Sequence, residues 1–222
     1  MDTQLIIALL ASILADSAPL VIASVGETIT ERAGVINLSL DGSILLTAMT
    51  GFAVAFVTNN LILGFLAAMA VGAVVALIVA VASIELRQDQ VAVGFVLTLL
   101  CADLSSFLGN PFVRKPGPSV EHLAIPVLKQ IPVLGPLFFD QNPVVYLSLL
   151  AIIVCWVWIF RTRPGLILQG IGERPAAAFA RGANVRLLRY VYVLVGGAVV
   201  GVAGAGYSRS VKRGGSYHHA YG

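Results

Sequence analysis

Few side chains in this sequence could do chemistry, and those that could sit in apolar company. Asp16, Asp41 and Asp103 fall in or beside long hydrophobic runs. An ionised carboxylate there is costly unless it meets water, a partner or a helix end. Asp103 lies well inside the run 91–109, so it either lines a polar path or hydrogen-bonds a neighbouring helix. Asp41 stands near a helix start, where the macrodipole favours a negative charge. Asn37 and Ser39, just ahead of it, either cap that helix or face a solute. His122, His218 and His219 lack the paired spacing of a metal site, and no Ser, Cys or His forms a recognisable nucleophile arrangement. Gly201 to Ser208 has the glycine spacing of a phosphate loop but lacks its lysine and follows no strand. The sequence therefore assigns no catalytic residue, metal, cofactor or nucleotide to this chain.

The elements that hold these residues are set by composition. Of 222 residues 58% are hydrophobic and 11% charged, against roughly 45–50% and 25% in a soluble domain. The apolar residues come in runs at about 5–26, 37–57, 61–84, 91–109, 143–160 and 190–208. Each is close to the ~20 residues that cross a bilayer as a helix. Sustained runs without period-two alternation predict helices rather than a barrel, because lipid offers no partner to backbone amides. The expected fold is all-α, a polytopic membrane protein of about six transmembrane helices forming a single domain over 1–222. Asp16 with Pro19, and the polar stretch 26–34, predict a kinked or broken first or second helix. Gly197 and Gly201 form a GxxxG pair in the last run, which predicts close helix packing. Cys101 and Cys155 lie in apolar runs and read as small hydrophobes.

Arginine placement gives direction. With the N-terminus outside, the connectors 27–36, 85–90 and 161–189 are cytoplasmic and carry Arg32, Arg87, Arg161, Arg163, Arg174, Arg181, Arg186 and Arg189. The outer connector 110–142 holds only Arg114, Lys115 and Lys129, as the positive-inside rule requires. The tail, with Arg209, Lys212 and Arg213, then falls outside, against that bias. This distribution accounts for the net charge of +3 without nucleic acid as a partner. Six prolines make 110–142 an irregular external loop, either a connector or a docking surface. Within 161–189, Pro175, the alanines Ala176 to Ala178 and Ala180, and Gly182 predict a short helix between two breaks. That helix either seats in a groove of a soluble partner or is part of an ordinary arginine-bearing loop.

Two stretches carry a resemblance. GETITERAGVINLSLDG, from Gly26 to Gly42, resembles the G-E-x-x-x-E-R-A-G-V-x-N-L-x-x-E-G signature of ABC importer permeases for simple sugars and nucleosides, within the ribose and branched-chain amino-acid permease superfamily. RTRPGLILQGIGERPAAAFARGANV, from Arg161 to Val185, is similar to that family's cytoplasmic segment, and IELRQDQVAVGFVLTLL to its fourth-helix region. Asp41 replaces the family's usual glutamate. The resemblance implies a multi-pass permease of the bacterial plasma (inner) membrane. Its partners would be a second permease subunit, ATP-binding subunits, an external solute-binding protein, a sugar or nucleoside substrate and membrane lipid. It makes Glu173, Arg174, Pro175, Ala176, Ala177 and Gly182 a coupling segment that contacts the ATPase, and leaves Asn37, Asp41 and Asp103 as candidates for the substrate path. ATP hydrolysis would belong to the separate subunit. The chain is shorter than the family's usual length, so the family's last helices are expected to be missing. A truncated or non-transporting structural or regulatory subunit is the alternative, and an ion-driven secondary transporter a third.

Overall fold

A computed structural model describes residues 3–112 and 141–210, and among these every regular element is helical. The order is α1 (Thr3–Arg32), α2 (Leu40–Thr58), α3 (Leu61–Ile84), α4 (Gln90–Gly109) with a 3-10 turn (Asn110–Phe112), α5 (Pro143–Arg161), α6 (Arg163–Glu173), α7 (Pro175–Ala180) and α8 (Val185–Ser210). Six of these, α1 to α5 and α8, are long and apolar enough to cross a membrane, matching the six runs. The chain is a multi-pass membrane protein.

Local chemistry sets the helix ends. Asn59, at φ 50°, closes α2, and the Asn60 side chain accepts from the amides of Ile62 (2.9 Å) and Leu63 (3.4 Å) to open α3. Asp89 caps α4 by accepting from the Val91 amide at 2.8 Å. Thr162 is extended and separates α5 from α6. The interruption expected in the first two spans lies later than the sequence indicates. α1 is one helix through Pro19, whose buried ring lies beside Gly206, and through the polar stretch as far as Arg32. The chain leaves the helix only over 33–39. A single proline removes one helical hydrogen bond, and neighbouring elements can compensate for it in a membrane bundle. The second difference is α6, an amphipathic helix in a stretch where the sequence indicated only one short helix. Most of the proline-rich connector, 113–140, and the tail 211–222 lie outside the described residues.

α8 is the hub. It packs on α1, α2 and α3, and its glycines make that possible: Gly196 faces Gly26 and Thr30 of α1, Gly197 faces Gly72 and Ala76 of α3, Gly201 faces Ala68, and Gly204 faces Thr47 and Ile44 of α2. With lipid no less apolar than the interior, close backbone contact is what drives such helices together. The stretch that imitates a phosphate loop is thus the middle of a packed helix.

The connectors 33–39 and 85–89 and the segment 162–184 gather at one end of the bundle. Ion pairs between Arg32 and Glu173 (3.8 Å) and between Glu85 and Arg186 tie them together there. The eight arginines Arg32, Arg87, Arg161, Arg163, Arg174, Arg181, Arg186 and Arg189 lie at this one end or on the adjoining helix turns.

Candidate functional site

At the arginine-bearing end, the turn between α1 and α2 is held from every side. Glu27, one turn before the end of α1, accepts from the Asn37 amide at 2.8 Å with one carboxylate oxygen and from the Thr30 hydroxyl at 2.8 Å with the other. Arg189 of α8 spans two carbonyls, its Nε donating to Ala33 (2.9 Å) and its Nη2 to Gly34 (3.0 Å). Gly34 sits at φ +80° with the guanidinium against it, so a side chain would be strained there and would strike Arg189. Gln90 of α4 accepts from the Ile36 amide (2.8 Å) while its own amide donates to Ser83 (2.7 Å) of α3. Thr98 donates to the Leu38 carbonyl at 3.1 Å. The Asn37 side chain, buried at 2% exposure, turns back on its own segment and accepts from the Ser39 amide (3.1 Å) and hydroxyl (2.6 Å). Ser39 continues to Ser43 inside α2 at 3.1 Å. Three helices besides α2, namely α1, α4 and α8, therefore fix one turn by hydrogen bonds that satisfy its backbone, and α3 steadies Gln90 from behind.

The segment after α5 rests on this turn. α6 buries Leu168 and Ile171, and Gly165 lies against the last turn of α5, where Gln169 donates to the Ile159 carbonyl at 2.9 Å. Gly172 lies directly against the Arg32 backbone. Arg32, which pairs with Glu173, also lies over the Phe160 ring at 5.9 Å. α7 is different: among its residues only Ala178 is partly covered, and Phe179 is 72% exposed. A groove of about 430 Å³ runs beneath it, lined by Ile84, Glu85, Pro175, Phe179, Asn184, Val185, Arg186 and Arg189. Gly182 at φ +86° ends α7 and turns the chain towards α8. Across the groove Glu85 accepts from Arg186 Nε (2.7 Å) and the Tyr190 hydroxyl (3.0 Å), which together hold its carboxyl below the usual carboxylate range.

The residues singled out from sequence thus separate. Glu173, Arg174, Pro175, Ala176, Ala177 and Gly182 come together as one exposed outboard element. Asn37 is buried and occupied as the brace of its own turn, and Asp41 is exposed in the first turn of α2. Asp103 is exposed on α4, about 20 Å along that helix from Gln90. Among the described residues, no cluster of three His, Cys, Asp or Glu could hold a metal. Sequence reasoning missed Glu27, Gln90 and Arg189 as the clamps of the turn. Glu27 lies inside the quoted signature, whereas Arg189 counted only as a topological arginine.

Comparison with known proteins bears on this arrangement. Residues 9–216 match the sequence profile of the family described as the permease component of the branched-chain amino acid transport system. A putative glucose ABC transporter permease protein of Haloferax volcanii is 38% identical over 84% of this chain and 58% of its own length. A nucleoside ABC transporter permease protein of Lactococcus lactis is 32% identical over 92% of the chain and 68% of its length. A guanosine ABC transporter permease protein of Bacillus subtilis is 34% identical over 88% of the chain and 65% of its length. The chain spans about three fifths to two thirds of the length of these relatives. No solved structure matches it significantly.

Proposed function

Because the chain belongs to the family of branched-chain amino acid transport system permease components, we propose that it is the membrane subunit of an ATP-binding-cassette importer for a simple sugar or nucleoside. The substrate class follows the similar permeases rather than the family's title, since those at 32–38% identity are named for glucose, nucleosides and guanosine. ATP hydrolysis resides in a separate ATP-binding subunit on the cytoplasmic side. A second permease subunit and an external solute-binding protein complete the assembly. The observation that carries this reading is α7, an exposed helix held outboard of the arginine face by a buried α6. A transport subunit needs such a projection to receive movement from a soluble motor.

The substrate path runs past α4. A carboxylate such as Asp103 at that depth is costly against lipid, so this face of α4 meets water or another protein. Asp41 is exposed at the arginine end, and in this reading it stands at the mouth of that path. Asn37 supports it from behind by shaping the start of α2. In the same reading lipid covers the exposed apolar face of α5, with Ile153, Val154 and Val157.

The test is the double variant Glu173→Arg with Ala177→Trp in the complete transporter reconstituted in vesicles. Reversal of a charge and a bulky ring on the exposed coupling segment should abolish uptake while ATP hydrolysis and insertion persist. Wild-type uptake by the variant would reject the coupling role. Uptake by the wild-type transporter that follows an ion gradient without ATP would favour a secondary transporter, and assembly without flux a structural subunit.

A further inference from the structure

We infer that movement of α7 reaches the transport helices through the α1–α2 turn, with Arg189 as the positioning residue that fastens this turn to α8. This rests on the permease reading above. An open groove separates α7 from the ends of α3 and α8, so α7 has little direct purchase on either. Its firm attachment is backwards, through α6. There Gly172 lies on the Arg32 backbone, Glu173 pairs with Arg32, and Leu168 and Ile171 are fully buried.

α6 also meets α8, where the Tyr192 hydroxyl donates to the Pro164 carbonyl at 3.2 Å, but it is the backbone of residues 32–34 that Gly172 presses on, so a tilt of α6 pushes on the turn. Those residues are gripped by the forked guanidinium of Arg189, which bonds the two successive carbonyls of Ala33 and Gly34. From there the path is short. The Glu27 carboxylate ties Asn37 to α1, Asn37 braces Ser39, and Ser39 bonds Ser43 within α2. Gln90 and Thr98 tie the same turn to α4, the helix that carries Asp103. The turn is thus where the coupling segment, α2 and α4 are joined by directional bonds. A packed, hydrogen-bonded joint of this kind moves as a unit, whereas a contact across an open groove does not.

Paired spin labels in the complete transporter test this. One pair, at Leu86 and Ala180, reports α7, and another, at Val57 and Leu147, reports the outer end of α2 against α5. In the wild type both distances should change between the nucleotide-free and ATP-bound states. In Arg189→Gln, and in the charge-preserving Arg189→Lys, the α7 pair should still respond. The α2 pair should lose its response, and uptake per ATP hydrolysed should fall about tenfold. Arg189→Lys guards against misfolding, since it keeps the cation and loses only the fork. A response of the α2 pair that survives in either assembled variant, with uptake per ATP unchanged, would overturn the inference. If the wild-type α7 pair does not respond to nucleotide at all, the permease reading fails as well.

Discussion

Gly201→Leu should yield a protein that inserts but does not assemble into a stable bundle. A Cβ at Gly201 would press onto the Ala68 carbonyl and lie 2.7 Å from Cα of Met69, closer than real Cβ atoms come to backbone. Neither contact is with a flexible side-chain tip, so α3 and α8 would have to separate along their length. α8 also packs on α1 and α2, and separation from α3 would disturb those seams through Gly196 and Gly204. Overpacking of a filled interior costs about 3 kcal/mol, and here it opens more than one helix contact. Size-exclusion profiles and heat-induced aggregation in mild detergent would show it. Gly170→Ala is the control, since nothing lies within 4 Å of that position and alanine favours the helix by up to about 1 kcal/mol. A Gly201→Leu protein as stable as the wild type would mean that α8 is not the hub.

The second large effect is expected at Glu27. Glu27→Ala removes the acceptor of the Asn37 amide, whereas the Thr30 hydroxyl keeps the Glu27 carbonyl at 2.9 Å. Leaving a partly buried backbone amide without its acceptor costs about 2 kcal/mol. Glu27→Gln keeps one carbonyl oxygen for the Asn37 amide and should recover more than half of that loss. Melting temperature and uptake should fall together in the alanine variant and recover together in the glutamine variant. A direct role of Glu27 in binding solute would instead show as a raised KM at unchanged melting temperature.

How much of this could be read from the residues depends on the range of the interaction. The six spans were legible because each is a local run of apolar side chains, and the ends at Asn59 and Asn60 and at Asp89 carry local caps. The arginine bias gave the face on which the connectors meet, since topology is set by short segments. The GxxxG pair announced close packing but not that α8 would touch three helices at once. α6 escaped notice because its glycines and Pro164 look like breakers, while the buried Leu168 and Ile171 that stabilise it depend on α1 and α5 being present. The roles of Glu27, Gln90 and Arg189 were not legible for the same reason. Arg189 reaches a carbonyl 156 residues earlier, and no spacing in the sequence encodes that. Asp103 and Asn37 show the converse. Charge within an apolar run marked Asp103, and its place ahead of a helix start marked Asn37 as a cap or a solute-facing residue, but only the fold shows one exposed on α4 and the other buried in a brace.

The account depends on the arginine-bearing end of the bundle facing the cytoplasm. Ala176→Cys, with Cys101 and Cys155 replaced, can be treated in intact cells with a membrane-impermeant thiol reagent. Reaction only after the membrane is opened is the result expected here, because α7 is then on the side where an ATPase can reach it. Reaction in sealed cells would put α7 on the exterior and contradict the assignment of this chain as an ATP-driven import subunit.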